Sequence, residues 1–507
     1  MRSPAQAGLF LGSVEGVVLA VNLVLVVLAV FGLLAPRNRR QVLVLAVTLG
    51  LAGLLSLTHA IADHFTGEGI TYAVLAHLQY GLQRGELGIM RFPALVAAVC
   101  AAGLAYLAWL WGALRAAAVQ RRRAPSAGLT WVVALIALGL LPLHPAALEL
   151  RTLWVAMSMD EVSLDQDMRW TASQDVAGPP RPVVYVYLES YERGFLDEQL
   201  FPGVAPQLRG LEREGLTIHG IATAPFMNWT MGGMVASQCG MVMTPLADTG
   251  AGGYRPGVHC LGDVMRDAGY RLSYIGGADL NFSGKGRFYR THGFDTVIGA
   301  DELEAELGAF PKSDWGAYDD TVFARARQEF ARLDAAGGPF GLFVLTTATH
   351  PHSGYPSPGC VSGDFANPML AAAHCSDGQA VAFVRWLQQQ GRDDLLIVVA
   401  SDHLQVAGDA SALLKRNPRR DNLFVVLGHD IEPHVVARAS TMVDVAPTVA
   451  SLLGLGVGEM ALGRDLLGPA PTLAEHYGPD RFNAMIPAWR TGFDDASARR
   501  GAPVPQP

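Results

Sequence analysis

The stretch Leu395-Leu-Ile-Val-Val-Ala-Ser-Asp402-His403 decides how the rest of this chain is read. Its apolar, β-branched run shows no polar alternation, which marks a strand buried on both faces of a parallel sheet. Ligands of open α/β sheets collect at the carboxyl ends of such strands. An acid and an imidazole presented together at that edge form half of a divalent-metal site. The other half belongs at the end of a second buried strand. Val183-Val-Tyr-Val-Tyr-Leu188 has that pattern, and it runs into Glu189-Ser190.

Outward from these two segments, strand and helix patterns alternate. Further strands are expected at 216–222, 271–275, 340–346 and 422–427, with helices at 261–268, 319–334, 376–390 and 443–453. Such alternation predicts an α/β domain over 183–468, with a mostly parallel central sheet flanked by helices. The amino-terminal part differs. The chain has 507 residues, of which 50% are hydrophobic, and the excess sits in four stretches: 9–34, 42–61, 92–114 and 129–148. Each is close to the roughly 20 apolar residues that cross a bilayer. Pro142, His144 and Pro145 interrupt the end of the fourth. An α-helical membrane domain of about four transmembrane helices is therefore expected over 1–150. Residues 151–182, polar and ending Pro179-Pro-Arg-Pro182, read as a linker. Residues 469–507, rich in Pro, Gly, Ala and Arg, read as a loosely packed tail.

Arginine placement orients the spans. Arg37, Arg39 and Arg40 follow the first, and Arg115, Arg121, Arg122 and Arg123 follow the third. Both clusters belong in the cytoplasm, which puts everything after residue 150 outside it. The first span has no basic leader beyond Arg2 and no small-residue cleavage site, so it reads as an anchor. A net charge of −8, with no basic stripe outside the membrane loops, argues against a nucleic-acid partner.

Cys100 lies in the third span; Cys239, Cys260, Cys360 and Cys375 all fall in the exported part, where disulfides form. Four cysteines permit three pairings, and the near-neighbour one, Cys239 with Cys260 and Cys360 with Cys375, is expected. Zinc ligation is the competing reading, but no CxxC spacing supports it.

The segment Asn228-Trp-Thr230-Met-Gly232-Gly233 precedes a helical pattern. A hydroxyl at a helix start meets unpaired N–H groups and the positive dipole end, which suits a phosphate and favours an alkoxide. Thr230 alone would be an ordinary helix cap. Beside a metal site it becomes the candidate nucleophile, and Glu189, Asp402, His403 and the Thr230 hydroxyl form the expected ligand set. Three oxygens and one nitrogen favour a single Mn²⁺ or Mg²⁺ over Zn²⁺. His350, after the strand at 340–346, can protonate a leaving alkoxide or hold a phosphate oxygen. The glycine-rich stretch 276–294 carries Asp279, Lys285 and His292 and reads as a substrate wall, with Lys285 suited to phosphate and Asn228 flanking the nucleophile.

Taken together, Tyr-Leu-Glu189-Ser190, Asn-Trp-Thr230, Thr-His350 and Ser-Asp402-His403 resemble the alkaline phosphatase/sulfatase superfamily, in particular its membrane-anchored phosphoglycerol transferase branch. Lipoteichoic acid synthases are similar in architecture. The phosphoglycerol transferase I type, which modifies osmoregulated periplasmic glucans, is closer, through Asp63-His-Phe-Thr-Gly-Glu68, Gln238-Cys239-Gly240, Asp314-Trp-Gly-Ala-Tyr-Asp319-Asp320 and Arg420-Asp-Asn422. That resemblance implies a transferase whose donor is phosphatidylglycerol. Thr230 would carry the covalent glycerophosphate, His350 would contact its phosphate, and a periplasmic glucan or similar carbohydrate would accept it. A phosphoethanolamine transferase acting on lipid A or glucan with the same chemistry is the alternative. A sulfatase is not implied, because Cys239-Gly-Met-Val lacks the Pro and Arg of the C/S-x-P-x-R nucleophile.

Overall fold

The computed structural model describes residues 39–66, 138–158, 164–172, 180–243, 257–361, 363–406 and 408–489, with scattered further positions between 69 and 135. The chain divides into two compact units, one comprising residues 1–74 and 87–157 and the other residues 75–86 and 158–507.

In the first unit, a helix spans Arg39–Thr66. Its segment Ala46–Asp63 is, among the described residues, the one helical stretch long and apolar enough to cross a membrane. The expected span at 9–34, most of that at 92–114 and part of that at 129–148 lie outside the described residues. What is described of the last one breaks at His144: a 3-10 turn at Leu141–Leu143 gives way to a new helix, Pro145–Ser158. Proline at a first helical position is favourable, which is why Pro145 starts a helix and does not merely end one.

Among the described residues, the second unit has thirteen strands: β1 Arg169–Ala172, β2 Val183–Leu188, β3 Leu216–Ala222, β4 Arg271–Gly276, β5 Thr296–Ile298, β6 Lys312–Ser313, β7 Gly316–Ala317, β8 Phe340–Leu345, β9 Leu396–Ser401, β10 Phe424–Leu427, β11 His434–Thr441, β12 Val457–Ala461 and β13 Gly463–Arg464. Eight form the central sheet in the order β11-β3-β10-β9-β2-β8-β4-β5. Every pairing is parallel except those of β10, which runs against β3 and β9. This is the mostly parallel α/β sheet the alternation predicts.

The central strands β2, β8 and β9 are buried along their whole length, as sheets covered by helices on both faces require. Strand alternation separates the two covers. Val184, Val186 and Leu188 join Val322, Phe323, Phe383 and Val384 of the helices Asp319–Ala335 and Pro368–Gln388 in one apolar core. On the other face Tyr185 stacks on Tyr187 and Phe343 at 4.2 and 5.4 Å between ring centres, and Tyr274 stacks on Tyr289 at 4.0 Å. The Tyr187 hydroxyl sits 2.9 Å from Ser237 Oγ and 2.6 Å from Gln238 Nε2, fastening the helix Thr230–Cys239 to that face. Disulfides join Cys239 to Cys260 and Cys360 to Cys375, so these thiols are not available to zinc.

Two expectations about chain organisation are corrected. The segment read as a linker is helical to Ser158, and its Arg169–Ala172 pairs antiparallel with β12 in a three-stranded sheet. The segment after residue 468 is not loose up to Trp489: helices Leu473–Tyr477 and Pro479–Ala488 bury Phe482, Ile486 and Trp489. Sparse apolar residues at helical spacing suffice to seat a helix. Truncating Phe482 to alanine should therefore lower unfolding free energy by about 3–5 kcal/mol in chemical denaturation; a loss below about 1 kcal/mol would mean the helix is only loosely attached.

Candidate metal centre

The register of β2 and β9 builds the site. Leu188 pairs with Ser401, so the next residues, Glu189 and Asp402, leave the sheet side by side. His403 follows at once. Glu189 Oε1 lies 3.3 Å from His403 Nε2, and Asp402 Oδ2 lies 3.5 Å from the same nitrogen. Glu189, Asp402 and His403 are all buried, and one ligand atom of each falls within 4.8 Å of the others. Thr230, first residue of its helix, donates its Oγ1 hydrogen to Glu189 Oε2 at 3.2 Å. The structure thus brings together all four residues of the expected ligand set.

Gly232 and Gly233 make this closeness possible. A β-carbon on Gly233 would lie 1.8 Å from the Asp402 carbonyl oxygen, and one on Gly232 would lie 2.0 Å from that of Phe226. Backbone against backbone cannot yield, so only glycine lets the helix Thr230–Cys239 reach the end of β9.

The electrostatics of the cluster favour a positive charge. Burial pushes the Asp402 carboxyl up to about 8, with Glu189 adding to it. Burial acts the same way on Glu189, but His403, His350 and Lys285 outweigh it and hold that carboxyl below its usual range. His403 is lifted to about 9, since Asp402 and Glu189 overcome its burial. Asp402 Oδ2, fully buried, accepts no hydrogen bond. His403 Nδ1 is 2.7 Å from the Leu404 carbonyl oxygen, which can only accept; its hydrogen therefore sits there and Nε2 faces the cluster. Two carboxylates, one imidazole nitrogen and one hydroxyl, with an orphaned carboxylate oxygen, fit a divalent cation.

The surrounding wall is only partly as expected. Lys285 is buried, its ammonium makes no hydrogen bond or close ion pair with the described residues, and burial lowers its affinity for a proton while Glu189, Asp402 and Asp279 oppose that from a distance. Asp279 is half-buried and accepts a hydrogen bond from Asn281 N at 2.7 Å. Asn228 is half-buried, two residues before Thr230. His350 is held with Nδ1 2.8 Å from the Pro351 carbonyl oxygen, and burial lowers its imidazole below the usual range, Glu189 partly opposing. His292 is the correction. It is buried with Nδ1 2.8 Å from Asp263 and clusters with the sulfurs of the Cys239–Cys260 disulfide, not with the metal set. A histidine seven residues after Lys285 falls at the end of the helix Lys285–Thr291, turned into packing.

Several residues were given no role by the sequence reading. Trp315, in the turn between β6 and β7, stacks on His350 with ring centres 3.8 Å apart. Asp319 accepts from the Thr347 and Ala348 backbone N–H groups at 2.7 and 3.2 Å, fixing the loop that carries His350, and burial pushes it up to about 7. Both lie in the Asp314–Asp320 motif, whose mixture of turn, aromatic and acid was the available signal. Thr346 Oγ1 accepts from Glu189 N at 3.0 Å, and Thr349 Oγ1 donates to the Glu189 carbonyl.

A family model described as Sulfatase matches residues 181–455, more than half of the chain, and the chain belongs to that family, within the alkaline phosphatase superfamily. A second model, described as Phosphoglycerol transferase I, N-terminal domain, matches residues 16–163. Phosphoglycerol transferase I of Xanthomonas axonopodis pv. citri is 34% identical over 440 residues, covering 82% of this chain and 61% of that protein. Its namesake from Escherichia coli O127:H6 is 33% identical over 447 residues, covering 85% and 57%. The chain thus spans about three fifths of the length of the curated relatives it matches. A protein in the alkaline phosphatase superfamily from Vibrio parahaemolyticus shares the fold, with a TM-score of 0.51 at 20% identity over 64% of this chain and 79% of that one.

Two outcomes follow from the geometry. Gly233→Ala should separate the helix from Asp402 and abolish the rise in melting temperature that Mn²⁺ is expected to give the parent protein; a preserved rise would mean the helix need not sit there. Because the metal-free Asp402 and His403 hold protons up to about pH 8 and 9, a cation must displace them. Mn²⁺ affinity, measured by calorimetry, should tighten from pH 7 to 9 and then level off, while a pH-independent affinity would contradict the assignment.

Proposed function

We propose that this chain is a metal-dependent phosphoglycerol transferase that moves glycerol phosphate from phosphatidylglycerol, through a covalent Thr230 intermediate, to a periplasmic glucan or similar carbohydrate. The observation that carries the reading is the Thr230 hydroxyl standing 3.2 Å from Glu189 Oε2, beside the Glu189–Asp402–His403 cluster. Similarity to phosphoglycerol transferases I over both halves of the chain supports the donor and the reaction. The catalytic unit lies in the periplasm in this reading, on a multi-pass inner-membrane anchor of about four helices.

Glu189, Asp402, His403 and Thr230 would hold one divalent cation, Mn²⁺ or Mg²⁺. When bound there, such an ion supplies Lewis-acid stabilisation of an alkoxide and of phosphoryl oxygens. The chain's own residues do the rest. Thr230 Oγ1 sits at a helix start, where free N–H groups and the dipole favour negative charge on it and on an incoming phosphate. Lys285, a buried cation with no close partner among the described residues, is suited to a phosphate oxygen. In the first half-reaction the Thr230 Oγ1–P bond forms as the diacylglycerol O–P bond breaks, and the Thr230 proton ends on the diacylglycerol oxygen. In the second, the acceptor hydroxyl oxygen bonds phosphorus, the Thr230–P bond breaks, and the acceptor's proton returns to Thr230. His350 suits the proton transfers as a neutral imidazole: its Nδ1 hydrogen is committed to Pro351, which leaves an Nε2 lone pair to accept a proton. Trp315, stacked on the ring, keeps it in plane.

The full chain in detergent, incubated with labelled phosphatidylglycerol and examined by intact-mass spectrometry, should acquire one glycerophosphate on Thr230. Label from phosphatidylethanolamine in its place would reassign the head group, and an adduct persisting in Thr230→Ala would remove the covalent role. Lys285→Met should cut kcat/KM for the donor roughly 10- to 100-fold, the scale of a lost hydrogen bond to a charged group; an unchanged value would take Lys285 out of phosphate binding.

A further inference from the structure

Ser190 touches every side chain of the protein's carboxylate–imidazole cluster. Its backbone N–H donates to Asp402 Oδ1 at 2.7 Å. Its hydroxyl donates to Glu189 Oε1 at 2.9 Å and lies 3.3 Å from His403 Nε2. The residue is fully buried, and it holds φ at +50°, a left-handed conformation that a non-glycine residue adopts only when its surroundings enforce it. That twist turns the chain at the end of β2, so that N–H and Oγ both face back into the cluster.

The consequence is a division of labour among the carboxylate oxygens. Asp402 Oδ1 is occupied by Ser190 N and also by His403 N at 2.8 Å, which leaves Oδ2 with no hydrogen bond. Glu189 Oε1 is occupied by Ser190 Oγ, which leaves Oε2 beside Thr230 Oγ1. From this arrangement we infer that Ser190 is a positioning residue that selects which oxygen each acid offers. It reserves Oδ2 of Asp402 and Oε2 of Glu189, one apiece, for a cation shared with Thr230. A carboxylate with both oxygens free can rotate or bind through two atoms, which shifts the ion away from the hydroxyl it must share. Ser190 is not itself a ligand in this account. The inference rests on the metal reading of the site and adds to it a residue to which no role has been assigned.

The test is calorimetric titration of Mn²⁺ alone into metal-free full chain in detergent, for the parent protein, Ser190→Ala and Ser190→Gly. The alanine variant keeps the strained turn and loses the hydroxyl; the glycine variant loses both the hydroxyl and the strain. Removal of a residue that orients metal ligands weakens affinity about 10- to 100-fold, and both variants should show that loss. Electron paramagnetic resonance of the Mn²⁺ they do bind should report a coordination shell different from the parent's, which a merely structural role would not produce. Affinities within about twofold of the parent in both variants would overturn the inference. So would a loss in Ser190→Ala that Ser190→Gly restores, since backbone strain and not the hydroxyl would then be responsible. Should Ser190→Ala fail to fold, Ser190→Gly decides, because the turn it occupies favours glycine. A parent protein that takes up no Mn²⁺ would remove the metal reading itself, and this inference with it.

Discussion

The parallel register of β2 against β9 is the constraint from which the rest of the site follows. Because Leu188 is level with Ser401, two acids leave the sheet together and are buried together. Two like charges out of water, close to one another, are unfavourable unless something positive joins them. Without a cation the protein answers with protons: Asp402 and His403 retain theirs well above their ordinary ranges. Lys285 contributes from a distance but forms no close pair with either acid. A cluster arranged in this way is unfavourable alone and is relieved by a divalent ion, which is the ordinary logic of a metal site.

The neighbouring elements exist to bring a hydroxyl to that cluster. Tyr187 on the aromatic face of β2 grips the helix Thr230–Cys239 through Ser237 and Gln238, and the Cys239–Cys260 disulfide closes its far end. Gly233 removes the one side chain that would hold its near end away. One strained residue lies at the same place. Ser190 lies in the left-handed region at a cost of about 1–3 kcal/mol, tolerable only inside a well-packed sheet.

Much of this was legible in the sequence because burial leaves a simple trace. Unbroken apolar runs identified β2 and β9, and the polar residues that end them identified Glu189, Asp402 and His403. Strand β11 escaped because it is an edge: His-Val-Val-Ala-Arg-Ala-Ser-Thr alternates exposed and half-buried positions and carries a charge, so no apolar run marks it. The helix Pro479–Ala488 escaped because two prolines, one at each end, and polar Asp480, Arg481 and Asn483 break its apolar pattern, while three buried side chains secure it and the residue after it. His292 was misplaced because residue type alone cannot say which side of a helix end faces the substrate. The roles of Ser190, Trp315 and Asp319 depend on contacts between segments far apart in the chain, and no local pattern encodes those.

The central claim is that one cation is shared between the acid–imidazole cluster and the threonine oxygen. Diffraction from crystals of the full chain grown with Mn²⁺, recorded for anomalous scattering, tests it most directly. The account predicts a single strong peak bonded to Thr230 Oγ1, Glu189 Oε2, Asp402 Oδ2 and His403 Nε2. A peak that leaves Thr230 outside the coordination shell, or one that lies away from these residues altogether, would contradict it.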